Sequence, residues 1–93
     1  MLEANYKIPR GKLVKVKLNV SFEKIDRVQI LGDFFLHPEE SIMSIEEALV
    51  GCQKDVKLIE LIIVEKLEDL EAMLIGATAA DFAKTVIMAW ESV

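Results

Sequence analysis

Ninety-three residues make one domain, and a chain of this length buries only about 60 to 65% of its unfolded surface, so the core is modest. Hydrophobic residues still make up 53% of the chain, which leaves apolar surface to meet a partner, yet no uninterrupted apolar run approaches the roughly 20 residues that span a bilayer. The net charge of −5 hides a division, with seven basic and three acidic residues up to position 31 against four and thirteen beyond it; an acidic whole without an arginine-rich motif excludes nucleic acid as a partner.

The basic first third reads either as a face for an anionic ligand or partner, or as a solvated strand face beside acidic helices. One cysteine, Cys52, leaves no internal disulfide and no metal framework, and a reducing cytoplasmic setting follows. Met1-Leu2-Glu3-Ala4-Asn5 lacks the basic and apolar regions of a signal peptide, and with Met1 as the true start the domain is made alone.

Tyr6-Lys7-Ile8-Pro9-Arg10-Gly11-Lys12 reads as a short extended lead-in and a turn, because Pro9 pre-sets its own dihedral and Gly11 tolerates a positive one. From Leu13 to Ser21, Val14, Val16, Leu18 and Val20 alternate with Lys15, Lys17, Asn19 and Ser21, the period-2 pattern of a strand with one buried face. Ser21-Phe22-Glu23-Lys24 then connects to a second strand. Without Asn-Gly or Asp-Gly a loop longer than two residues is expected.

That second strand runs from about Ile25 to Leu36, with Val28, Ile30, Phe34 and Leu36 on one face and Arg27, Gln29, Leu31, Asp33 and Phe35 on the other. Gly32 marks a place where the backbone bulges or packs closely. In a straight strand Phe34 and Phe35 point to opposite sides of the sheet, and a bulge at Gly32 swaps which of them enters the core.

Pro38, Glu39 and Glu40 suit the first turn of a helix carrying Ile42, Ile45 and Leu49. Ser44-Ile45-Glu46-Glu47 is a competing capping box that starts the helix later, after a turn at Pro38, and Gly51 is the expected stop. Asp55 caps a second helix with a stripe of Ile59, Ile62, Ile63, Leu67 and Leu70. Gly76-Ala77 interrupt the pattern after Met73-Leu74-Ile75, and Thr78-Ala79-Ala80-Asp81 caps a last helix bearing Phe82, Ala83, Val86, Ile87 and Trp90. The expected architecture is α+β: a small antiparallel sheet of two or three strands in the N-terminal third, followed by about three helices packed on one face, in a single domain over residues 1–93.

Catalytic material is sparse. His37 precedes a proline with no serine or cysteine motif beside it, and Cys52, just past a helix-stopping glycine, reads as an apolar filler rather than a nucleophile. Consecutive glutamates at 39–40 and 46–47 diverge by about 100 degrees on a helix, so no metal site is expected. The glycines at 11, 32, 51 and 76 are too scattered for a phosphate-cradling loop. What stands out is a lysine-rich segment, Lys7 to Lys17, and a phenylalanine-rich one, Gly32 to Glu40, both on or beside one sheet and able to form one contact surface.

Gly32-Asp33-Phe34-Phe35-Leu36-His37-Pro38-Glu39-Glu40 resembles a characteristic block of the C-terminal accessory domain of lipoate-protein ligases. Lys7-Ile8-Pro9-Arg10-Gly11-Lys12-Leu13-Val14-Lys15-Val16 is similar to that family's opening segment, where a lysine, a glycine pair and a second lysine lead into the first strand; here Arg10 replaces the first glycine. Ala48-Leu49-Val50-Gly51 resembles the end of the family's first helix, and Gly76-Ala77-Thr78 through Ala83 the start of its last, so the likeness covers essentially the whole chain.

The resemblance implies a noncatalytic accessory subunit of a two-part ligase, forming a heterodimer with a catalytic large subunit. Together they would activate lipoate with ATP to lipoyl-AMP before transfer to a lysine of lipoyl carrier domains. It implies no cofactor bound by this chain alone, with ATP, Mg and lipoate in the complex, and neither nucleic acid nor membrane as partner. Carried over residue by residue, Lys7 and Lys12 would complement phosphate or acidic groups, Gly11 and Gly32 would allow close backbone approach, and Asp33, Phe34 and Phe35 would form or support the docking surface. Two other classes compete: a small scaffold that binds a sulfur-transfer or carrier protein without affecting adenylation, and a thiol enzyme using Cys52.

Overall fold

The computed structural model describes residues 1–92. The alternation in the lysine-rich segment resolves into strand β2 (Leu13–Ser21), with Val14, Val16 and Leu18 fully buried between half-buried Lys15 and Lys17. It is the central strand of an antiparallel sheet, between β1 (Leu2–Lys7) and β3 (Lys24–Gly32). The lead-in is therefore a full six-residue strand: Leu2, Ala4 and Tyr6 are half-buried and Glu3, Asn5 and Lys7 exposed. Inward rows run across all three strands, Leu2 to Leu18 to Val28, Ala4 to Val16 to Ile30, and Tyr6 to Val14 to Gly32.

The hairpin between β2 and β3 is tighter than its sequence suggests. Ser21 pairs with Lys24, leaving Phe22 and Glu23 as a two-residue turn with φ of 52° and 63°. The twist of the two strands selects a turn with both central dihedrals positive, and these side chains take the left-handed conformation that Asn-Gly would adopt without strain. The bulge lies at Asp26, not at Gly32: Asn19 pairs with Arg27 and Val20 with Ile25, so Asp26 has no partner. Ile25 and Val28, three positions apart, both turn inward as a result.

The second strand does not continue to Leu36. It stops at Gly32, where φ is +157° and a Cβ would stand 2.2 Å from the Leu13 carbonyl oxygen. Beyond Asp33 and Phe34, strand β4 (Phe35–His37) joins a separate antiparallel pair with β5 (Met73–Ile75). Met73-Leu74-Ile75 is thus a strand rather than the tail of a helix, because Glu71 at φ 50° reverses the chain after the preceding helix ends.

Helix α1 (Ser41–Leu49) starts between the two expected places. Pro38 lies in a turn before the helix, Ser41 N donating to Pro38 O at 3.0 Å, and Ser44 is interior, so the capping box is unused. Gly51 ends the segment at φ +90°, as expected. Helix α2 (Val56–Asp69) has its predicted cap, the Asp55 carboxylate accepting from Lys57 N and Leu58 N at 3.1 Å each. Its stripe is narrower than expected: Ile59 and Ile63 are fully buried, Ile62 and Leu67 half-buried, and Leu70 is exposed at the C-cap. Helix α3 (Ala79–Trp90) opens with the Thr78–Asp81 capping box and buries Phe82, Ala83 and Val86 completely.

The α+β expectation holds. Helix α3 packs on β1 and β2, α1 packs on β3, and α2 bridges α1 and α3. The core lies between the inward face of the sheet and this layer, and among the described residues no helix covers the other face.

Candidate docking surface

Two segments distant in sequence meet at one end of the sheet. Lys7 pairs with Leu13, and Leu13 is clasped by Asp33: Leu13 N donates to Asp33 Oδ1 at 2.7 Å, and Asp33 N donates to Leu13 O at 3.3 Å. Val14 pairs with Gly32, Lys12 N donates to Gly76 O at 3.2 Å, and Phe35 pairs with Ile75. Lys7, Gly11, Lys12, Gly32, Asp33, Phe34 and Phe35 therefore cluster, and the strand β5 joins them.

The two phenylalanines divide their work. Phe34 is half-buried against the core, its ring centroid 4.9 Å from that of Phe82 with the rings tilted by 60°. Phe35 is 53% exposed and lies parallel to the imidazole of His37, centroids 6.4 Å apart. The first ring thus turns inward with Val28, Ile30 and Leu36 and the second outward, the division expected of a strand without a bulge at Gly32. Across the β4–β5 pair Ile75 stands opposite Phe35 and Met73 opposite His37, and both are more than half exposed. Leu13 and Leu31 add exposed apolar surface at this end, and a cleft of about 280 Å³ is lined by Leu31, Phe34, Phe35, Glu39 and Ile42. Met73 and Ile75 are the residues a helical reading of this stretch hides, since three consecutive apolar residues carry no alternation in the sequence.

Close backbone approach at this end is made within the chain. A Cβ on Gly11 would meet the Ile8 side chain at 2.7 Å and the Gly76 carbonyl at 3.1 Å. The Lys7 ammonium donates to the carbonyls of Gly11 and Ile8. The loop amides are also committed: Ile8 N to Lys12 O, Gly11 N to Ile8 O, Lys12 N to Gly76 O and Leu13 N to Asp33. No row of free N–H groups is left there to cradle a phosphate, so the remaining positive charge is that of exposed Lys12 and Arg10. The positive dihedral expected at Gly11 falls one residue earlier: Arg10 adopts φ 61°, the conformation in which glycine is unstrained, while Gly11 is needed for its close contacts.

Residues 2–86 match the family described as bacterial lipoate protein ligase C-terminus. The chain belongs to this family. Within it, the chain is 39% identical over 51 residues to lipoate-protein ligase A subunit 2 of Thermoplasma acidophilum. That alignment covers 55% of this chain and 53% of the relative, so the chain spans about half the length of the curated relative it matches. The fold superposes with a TM-score of 0.76 and 28% identity on a chain from the structure of a bipartite lipoate protein ligase and its E2 lipoyl domain from Thermoplasma acidophilum, covering 90% of this chain and 91% of that one.

Reactive side chains also lie outside this face of the lipoate protein ligase C-terminal domain. Among the described residues no group of three or more histidine, cysteine and acidic side chains is placed to hold a metal. Glu46, one of the paired glutamates, spends its carboxylate on the Ile30 N–H at 2.7 Å. Cys52 is buried, and burial together with the negative charge of Asp55 pushes its thiol up from the ordinary value. Thiolate is the nucleophilic form, so Cys52 is disarmed at neutral pH. Iodoacetamide should label Cys52 more slowly than free cysteine at every pH through neutrality, with the rise in rate displaced to more alkaline solution; a rate profile matching free cysteine would contradict this placement. A roomier cavity of about 700 Å³ opens at the other end of the sheet, lined by Val20, Phe22, Glu23, Lys24, Gln53, Lys54 and Trp90.

Proposed function

We propose that this chain is the noncatalytic accessory subunit of a two-part lipoate-protein ligase. In this reading it forms a heterodimer with a catalytic large subunit, which uses ATP to convert the lipoate carboxylate to lipoyl-AMP and pyrophosphate before the acyl group passes to a lysine of a lipoyl carrier domain. The observation that carries it is the exposed strip of Phe35, Met73 and Ile75, held on two short strands whose inward neighbours Phe34 and Leu36 are fixed in the core. Membership of the lipoate ligase C-terminal family and the likeness to a chain of a bipartite ligase supply the chemistry.

Because the amides of Ile8, Gly11, Lys12 and Leu13 are spent internally, ATP, Mg and lipoate are assigned to the large subunit. The role of this chain is then to dock at the mouth of that active site, order it and exclude water, so that the charged transition state is stabilised by groups of the large subunit. In this reading the complex works in the cytoplasm, where a lone cysteine such as Cys52 stays reduced. Mixing this chain with a matching large subunit, lipoate and ATP should release pyrophosphate only when both proteins are present. Equal release by the large subunit alone would overturn the reading, and binding without any gain in release would favour the scaffold instead.

A further inference from the structure

The strand order β1-β2-β3 leaves one unpaired edge on β1 and one on β3. The β3 edge is closed by the chain itself. Glu46 accepts the Ile30 N–H, while Ile25 exchanges bonds with Gly51 and Cys52 beside the bridge of Lys24 to Gln53. Among the described residues nothing pairs with the edge of β1.

Register determines which groups face that edge. Ile30 gives its N–H to Glu46 and so directs its backbone away from β2; its neighbour Val16 therefore bonds on its other side, to Ala4. By alternation Leu2, Ala4 and Tyr6 bond to β2, whereas Glu3, Asn5 and Lys7 turn their N–H and C=O groups outward. All three are exposed, and an open row of this kind is a template for another strand.

The edge is complementary to itself. Laid antiparallel on a second copy about a two-fold axis at Asn5, each Glu3, 3.9 Å from Lys17 of its own chain, falls opposite a Lys7 whose ammonium also serves the Gly11 and Ile8 carbonyls, on either side of an Asn5–Asn5 pair. On the inward face Ala4 meets Tyr6, and Leu2 meets Ile8. Centring the same strand on Glu3 or on Lys7 sets like charges face to face, so this register is favoured over those. Because α3 lies over β1 and β2, the two copies of that helix would be about two strand spacings apart, roughly 10 Å, the distance at which helices pack.

We propose that β1 is a self-pairing edge through which two copies of this chain join their sheets into one of six strands. Sedimentation equilibrium of the chain alone tests it. The wild type should show a reversible dimer, twice the 10.5 kDa of one chain. Glu3→Lys sets lysine against lysine on both sides of the axis and should raise the dissociation constant roughly tenfold or more. Adding Lys7→Glu to it restores opposite charges and should bring the dimer back. Asn5→Pro removes an outward N–H while sparing the bonds to β2, and should give a monomer. A wild type that stays monomeric at every concentration overturns the proposal. So does a dimer indifferent to Glu3→Lys and Asn5→Pro, or a double variant no tighter than the single one.

Discussion

Gly32→Ala should cost about 2 to 4 kcal/mol of stability and lower the thermal midpoint by roughly 10 to 25 °C, a large part of what a domain of this size possesses. An alanine Cβ at φ +157° would stand 2.2 Å from the Leu13 carbonyl oxygen and 2.8 Å from two ring atoms of Phe34. Neither neighbour can yield cheaply: the oxygen belongs to the backbone clasp with Asp33, and the ring is wedged against Phe82. Gly51 provides the control, because it has φ +90° with no atom within 4 Å of its missing Cβ. Gly51→Ala meets only the backbone penalty of about 1 to 2 kcal/mol. Thermal melts of the two variants giving equal midpoints would contradict the account of the clasp.

Phe35→Asp should weaken binding to the large subunit by about a hundredfold or more while leaving the midpoint of the isolated chain nearly unchanged. An aromatic anchor at the centre of an interface is worth about 2 to 4 kcal/mol on truncation, and an aspartate adds the cost of desolvating a charge. Its exposure of 53% means that little folding energy is lost with it. Ile75→Asp, directly across the strand pair, should behave alike. Phe34→Ala should do the reverse, losing stability through its contact with Phe82 and affecting binding only through the fold. Calorimetric titration of the large subunit together with melts of each free variant separates these outcomes; wild-type affinity in Phe35→Asp would remove this face from the interface.

What was legible in the sequence is what short-range physics dictates. The alternation from Leu13 to Ser21 gave β2 its limits and its buried face, and the caps at Asp55 and Thr78 are where side chains alone can satisfy free helix amides. Gly51 was a legible stop for the same kind of reason. Strand β5 was not, since three residues are too few to establish a period and its partner β4 lies far away in the chain. The turn at Phe22-Glu23 and the bulge at Asp26 follow from the twist and pairing of β2 with β3, which override the local preferences of those residues. Phe34 and Phe35 were recognisable as a pair with opposite directions. Phe34 turns inward with Val28, Ile30 and Leu36, as the alternation without a bulge at Gly32 predicts, because the irregularity lies at Asp26 instead.

The central claim is that the Phe35 face completes the active site of a second protein. Pyrophosphate release by the large subunit, with lipoate and ATP, should be measured after adding equal amounts of wild-type chain, Phe35→Asp or Phe22→Ser, the last altering an exposed ring at the remote hairpin tip. The wild type and Phe22→Ser should both support release, and Phe35→Asp should leave it at the level of the large subunit alone. Full release with Phe35→Asp would contradict the claim.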